Sequence, residues 1–250
     1  PKHRHQDHGH EQSHHNHHHD WHLESKATEY DQSPNIQQLS VEAYRNLDHV
    51  LSLHFAPWSS NEKLSIIDFG CGPGRLLVQT SNHAQIMVGV DYSKPMLEKF
   101  KKNASEMNIL QNIRAVEFDI ESGTKEHLQH ALQDSTAQIQ DYDLALCTFV
   151  AHHVRDVEKL HQMLLHLVKP GGIIVYFDKL DTEDEHSESI LDESMVERKG
   201  VKHNKGISLA RWKEIASKVG GEIIYASQDL KFDFGQRGKE RPVLCLYIRK

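Results

Sequence analysis

Short apolar runs along the chain alternate with stretches in which apolar residues recur at helical spacing, the pattern of a parallel sheet covered by crossover helices. Leu64 to Phe69 reads as a buried strand, and Gln85 to Val90, Ile113 to Phe118, Tyr142 to Thr148 and Ile173 to Phe177 repeat it. Between them lie amphipathic segments. Leu39, Ala43, Leu47, Val50, Leu51 and Phe55 share one face of a helix over Ile36 to Phe55. Met96, Leu97, Phe100, Ala104 and Met107 share the face of another, which Ser93 caps and Pro95 opens. Leu76 to Val78 begin the first crossover helix. Val157, Leu160, Leu164 and Leu167 mark a later one, closed by Lys169-Pro-Gly-Gly172. The polar stretch Glu121 to Gln140 is expected to be a surface helix or loop. A last helix starts at Ser208 and ends at Gly220, and two strands, Glu222 to Ala226 and Val243 to Ile248, finish the chain around a polar loop containing Gly235 and Gly238.

The first strand runs straight into Gly70-Cys-Gly-Pro-Gly74, a turn that brings backbone close to whatever lies against it. Asp68 ends that strand and Asp91 ends the next, about 20 residues apart, the spacing at which a carboxylate reaches a nucleotide ribose. A dinucleotide fingerprint needs a further glycine where Arg75 stands, so a diphosphate is disfavoured.

Ile67-Asp-Phe-Gly-Cys-Gly-Pro-Gly74 followed by Gly89-Val-Asp-Tyr-Ser93 resembles motif I and the acidic motif of class I S-adenosyl-L-methionine (AdoMet) methyltransferases. Phe149-Val-Ala-His-His-Val154 after the fourth strand, and the Lys-Pro-Gly-Gly turn, extend the resemblance to the type 11 and type 12 small-molecule group. It runs from Trp21 to the C-terminus and departs at Glu185-His186-Ser187, where relatives carry a glycine and an aromatic-His pair. The resemblance implies a Rossmann-like α/β three-layer sandwich over residues 21–250. Its seven-stranded, mostly parallel sheet would have the order 3-2-1-4-5-7-6 with the last strand antiparallel. It also implies AdoMet as cofactor, held by Tyr30, Asp68, Phe69, Gly70, Cys71, Gly72, Gly74, Asp91, Tyr92, Met96, Asp119, Ile120, Cys147 and Thr148. Tyr30 is the lid candidate on the amphipathic segment Trp21 to Pro34, and Asp119 either meets the adenine amino group or caps a strand end. The expected acceptor is a small molecule that enters beside Phe149 to His153. His152 and His153 are the candidate catalytic groups there, because only they could take a proton near neutral pH; the alternative is that they bond backbone and start the next helix.

Composition narrows the picture. A formal net charge of -7 with both signs mixed provides no basic face, so nucleic acid is not the favoured partner. Cys71, Cys147 and Cys245 are scattered without a CxxC pair and read as reduced thiols of a soluble, cytoplasmic protein; no apolar run is long enough to span a membrane. Pro1 to His22 hold ten of the 21 histidines and little to bury. Residues 1–20 are expected to be a disordered tail, either plainly solvated or binding a divalent metal through His14, His15, His17, His18 and His19. The acidic run after Leu180 reads as a solvated face or as a wall of the acceptor site. Two rival functions stay open. One is a protein or tRNA methyltransferase, although Cys147-Thr-Phe-Val150 is not an amino-methylation motif. The other is a regulatory protein that binds AdoMet or metal without turnover.

Overall fold

The computed structural model describes residues 20–133, 142–181, 206–233 and 240–250. The leading segment is a single turn, Asp20–His22, followed by helices α1 (Glu24–Gln32) and α2 (Pro34–His54). The remaining helices are α3 (Arg75–Gln79), α4 (Lys94–Glu106), α5 (Lys125–Gln133), α6 (Val157–Leu167) and α7 (Leu209–Val219). Strands β1 (Leu64–Phe69), β2 (Ala84–Asp91), β3 (Ile113–Glu117), β4 (Tyr142–Thr148), β5 (Val168–Lys179), β6 (Glu222–Ser227), β7 (Lys231–Asp233) and β8 (Glu240–Arg249) complete the order.

The sheet runs β3-β2-β1-β4-β5-β8-β6, with β7 paired to β8. Strands β1 to β5 are mutually parallel, and β8 lies antiparallel between β5 and β6. This is the expected order with one correction: there are eight strands among the described residues, and the long antiparallel one is the eighth. The extra strand is three residues, Lys-Phe-Asp, too short and too polar to carry a periodic signal, and it forms by pairing Phe232 with Arg241. Two helices take definite bounds. The first crossover helix stops after five residues and continues as the 3-10 turn Thr80–Asn82, where Thr80 Oγ1 donates to the Leu77 carbonyl at 2.7 Å. The polar stretch after β3 contains a true helix, α5, because Leu128 and Leu132 are buried against the core.

Strand alternation divides the core into two layers. Ile67, Val88, Ala145, Ile174 and Leu246 pack with α5, α6 and α7. Ile66, Met87, Leu144, Val175 and Tyr247 pack with α2, α3 and α4. Covering both faces is why the central strands read as continuous apolar runs. The same alternation decides where the strand-end residues point. Asp68, Asp91 and Thr148 follow the α2–α4 side, whereas Phe69 and Cys147 belong to the α5–α7 layer. The three cysteines are free and buried, and among the described residues no helix is long and apolar enough to cross a membrane. Residues 1–19, the acidic run from 182 to 205 and both loop glycines, Gly235 and Gly238, lie outside the described residues.

Candidate active site

At the carboxyl ends of β1 and β4 the chain folds around a cavity of about 60 Å³ lined by residues that include Tyr30, Asp68, Gly70, Cys71, Gly72 and Thr148. The turn between β1 and α3 is built by three glycines with positive φ, at 74° for Gly70, 52° for Gly72 and 69° for Gly74. They serve different ends. A Cβ at Gly70 would lie 2.2 Å from Val150 Cγ2 and one at Gly74 would lie 2.1 Å from Phe100 Cδ2, so these two let protein pack on protein. A Cβ at Gly72 would meet nothing nearer than Tyr30 Cε1 at 4.0 Å, so Gly72 is the one whose open side faces the cavity.

Asp91 sets the shape of this turn. Its Oδ2 accepts from the Gly72 N–H and its Oδ1 from the Ser93 N–H, both at 2.8 Å. Each carboxylate oxygen has a second lone pair, so both can accept once more. Burial pushes the Asp91 pKa up and outweighs the opposing effect of the Ser93, Gly72 and Tyr92 N–H groups and of His22. Asp68 is more exposed to the same cost: it is 2% exposed, its Oδ1 has no partner, and burial together with the Asp91 charge pushes its pKa up to about 7. Thr148 Oγ1, on the same lining, is also buried without a partner. The two carboxylates, with burial as the larger cause, push Tyr30 up to about 12, so its phenol stays protonated.

Helix α1 closes the cavity. Asp31 Oδ1 accepts from Arg75 Nε at 2.7 Å and from Asn103 Nδ2 at 3.1 Å, while Asn103 also donates to the Pro73 carbonyl at 2.9 Å. One buried carboxylate therefore ties α1 to the glycine turn and to α4. The start of the segment is held by Ser93 Oγ, which donates to the Trp21 carbonyl, and by the edge of the Trp21 ring against Tyr30 at 5.3 Å. Asp31 and Asn103 escaped the sequence analysis because their partners lie 44 and 72 positions away, and nothing local marks them.

A second polar centre sits where β4 and β5 end. His152 Nδ1 donates to Asp178 Oδ1 at 2.5 Å, the His152 N–H donates to Oδ2 at 3.2 Å, and the Lys179 N–H donates to Oδ1 at 2.7 Å. The carboxylate is fully buried, which opposes ionisation, yet His152 and the Lys179 N–H more than offset this and hold its pKa below the usual range. The His153 ring lies 4.0 Å from that of His152. Phe149, in a left-handed conformation with φ 56°, turns the chain out of β4 toward this centre. The sequence carried a usable sign of Asp178, an acid ending an apolar strand as Asp68 does.

Other candidates fall at the margins. Phe69 packs edge-on against Phe118 with centroids 6.0 Å apart, and Cys147 is buried in the same layer, so their side chains face away from the cavity. Met96 is buried in the first turn of α4, Tyr92 is exposed with its ring edge against His22, and Ile120 is half-buried. Asp119 is exposed and closes its own turn, accepting from the Glu121 N–H at 2.9 Å and from Ser122 Oγ at 2.7 Å. Each oxygen keeps a further lone pair. Among the described residues no group of three or more His, Cys, Asp or Glu could hold a metal ion; His14, His15, His17, His18 and His19 lie outside them.

Residues 60–228 match a family model described as a methyltransferase domain. An uncharacterized methyltransferase of Schizosaccharomyces pombe is 25% identical over 174 residues, covering 66% of this chain and 57% of that protein. The uncharacterized methyltransferase YcgJ of Bacillus subtilis is 28% identical over 155 residues, 61% of this chain and 54% of its own. The chain thus spans little more than half the length of these curated relatives. Among solved structures, an S-adenosylmethionine-dependent methyltransferase from Mesorhizobium loti superposes with a TM-score of 0.58 at 18% identity, covering 83% of this chain and 98% of that one.

Proposed function

Because the chain belongs to this methyltransferase domain family, we propose that it transfers the methyl group of AdoMet to a small-molecule acceptor. The observation that carries the reading is the cradle made by Gly72, Asp91 and Asp68. An open glycine faces the cavity, one buried carboxylate has acceptor capacity to spare, and another has an oxygen with no partner. These residues fit AdoMet. Asp91 would accept from the ribose hydroxyls, Asp68 would face the positively charged amino-acid end, and Asp119 stands at the strand edge where an adenine amino group would be met.

AdoMet, when bound, supplies a methyl group on a sulfonium that already serves as leaving group. The protein's share is therefore to hold the acceptor in line and to exclude water, and positioning alone can lower such a barrier by several kcal/mol. Helix α1 performs the exclusion: Tyr30 lies over Gly72, and the ion pair of Asp31 with Arg75 keeps it there. A cavity of about 60 Å³ is far smaller than the roughly 300–1,000 Å³ of ordinary ligand pockets, so α1 has to lift before a nucleoside can enter.

The acceptor is expected beside Phe149 to His153, where aromatic and imidazole side chains border the turn out of β4. Residues 1–19 precede every element that lines the cavity, so the domain that binds the cofactor begins near Trp21. Titration calorimetry tests the reading: AdoMet binds the full chain with one site, and it binds equally well to a chain lacking residues 1–19 in metal-free buffer. Absence of binding to the full chain would remove the proposal.

A further inference from the structure

The His152 and Asp178 pair is more tightly built than a turn requires. A carboxylate that is fully buried takes three donors from two strand ends, and one of them is a ring nitrogen at 2.5 Å. An ionised carboxylate only accepts, so Nδ1 carries a proton, and the neutral tautomer that fits this bond has its lone pair on Nε2. The chain leads from the cavity to the pair. Thr148 and Phe149 line the cavity, Val150 packs against the glycine turn at Gly70, and His152 follows two residues on. The Cys147 thiol, pushed up chiefly by burial, senses both Asp178 and Asp68, which places the two centres at one strand end.

Resting on the methyltransferase reading above, we propose that Asp178 is a positioning residue that fixes His152 as general base for an acceptor with an acidic hydroxyl, a phenol or enol. A carboxylate or thiolate acceptor arrives ionised and gives a base nothing to remove. A phenol, ionising near tyrosine's value of about 10, lies within reach of a neutral imidazole, whereas an alkyl alcohol does not. The rings of Phe149 and Phe232, 6.2 Å apart, provide flat apolar surface near the turn for such a molecule. In the reaction the acceptor's O–H bond breaks and its proton passes to Nε2. The oxygen forms the bond to the methyl carbon, and the carbon–sulfur bond breaks with its electron pair staying on sulfur. The products are an aryl or enol methyl ether, S-adenosylhomocysteine and an imidazolium that Asp178 stabilises until water takes the proton. The titratable groups around the pair are His153, whose ring lies 4.0 Å from that of His152, and Cys147, whose thiol feels the Asp178 charge.

The test uses the full chain with labelled AdoMet and three probes: phenol, 4-nitrophenol and benzylamine. The expected result is methylation of both phenols and not of benzylamine. Asp178→Asn, which turns the ring's hydrogen bond around, lowers kcat on phenol about a hundredfold with the AdoMet Kd unchanged. It costs far less with 4-nitrophenol, which is mostly ionised in solution at about pH 8. The wild-type rate on phenol falls on the acid side of its pH profile, as general-base catalysis requires, and the variant loses that limb. If Asp178→Asn does not fold, His152→Gln, which leaves the two backbone donors to Asp178 in place, carries the same comparison. Methylation of benzylamine in preference to phenol, equal losses on both phenols, or no phenol methylation by protein that calorimetry shows to bind AdoMet would each overturn the proposal. Failure to bind AdoMet at all would overturn the methyltransferase reading with it.

Discussion

Replacing Asp91 with alanine separates the binding role of a buried carboxylate from its structural one. In the ligand-free protein Asp91 takes one backbone N–H on each oxygen, at 2.8 Å, yet burial still pushes its pKa upward. The charge is thus a net cost to the empty fold even with those two bonds made. Removing it relieves that cost and leaves the Gly72 and Ser93 N–H groups to water. The two changes oppose each other, and the expected loss of stability is under about 2 kcal/mol, a few degrees in Tm for a domain of this size. In the complex, the same carboxylate gains hydroxyl donors worth roughly 1.5–3 kcal/mol each, so Asp91→Ala weakens AdoMet by at least about tenfold. Calorimetry gives the affinity, and thermal unfolding without ligand gives the stability. Unchanged affinity, or an affinity loss fully explained by a collapse of Tm, would refute the argument.

Four further outcomes follow from the same geometry. Asp68, with a folded-state pKa of about 7 against an ordinary 3.8, holds its proton more tightly folded than unfolded. Stability of the empty protein therefore falls as pH rises from about 4 to 7, by up to about 4 kcal/mol, and urea unfolding of Asp68→Asn should show a flatter profile in that window. Gly72→Ala should abolish AdoMet binding at a stability cost of about 1–2 kcal/mol from its left-handed backbone, read by calorimetry against denaturant unfolding. Gly89→Ala, whose Cβ would lie 2.6 Å from Phe100 Cε1 and 2.7 Å from Cys71 Sγ, should cost about 1–3 kcal/mol of stability in urea. Arg75→Gln breaks the 2.7 Å ion pair that holds α1 down and should speed both association and dissociation of AdoMet, followed by stopped-flow fluorescence of Trp21; unaltered rates would show that α1 does not gate the cavity.

The strands were legible because each is buried on both faces, and the helices because a wide apolar stripe survives along α2, α4, α6 and α7. What the pattern could not supply was which face a strand end would serve. Phe69 and Cys147 lie within the same motifs as Asp68 and Thr148, and only the alternation of β1 and β4, fixed once Ile66 and Leu144 were placed against α2–α4, sends their side chains to the other layer. The glycines show the same limit. Three positive-φ positions were foreseeable from the motif, but that Gly70 yields to Val150 and Gly74 to Phe100 depends on residues 80 and 26 positions away. The contacts of Asp31 with Arg75 and Asn103 span 44 and 72 positions, and β7 exists only because β8 offers it an edge.

The three strand-end carboxylates divide the site electrostatically. Asp178 already has three donors, from the His152 ring and from the His152 and Lys179 N–H groups, so its ionised form is favoured and its pKa is held down. Asp68 feels the charge of Asp91, and burial raises the pKa of both. A neutral ligand entering the cavity would deepen that cost by removing the remaining water. A ligand that brings positive charge and hydroxyl donors relieves it, and the ammonium of the amino-acid end, which AdoMet and S-adenosylhomocysteine share, is the charge that Asp68 would read. The attraction weakens once Asp68 is protonated. Both ligands should therefore bind more weakly at about pH 6 than at about pH 8, and Asp68→Asn should flatten that dependence; calorimetry of each ligand at the two pH values measures it, and equal affinities at both in the unaltered protein would show that Asp68 does not read the charge.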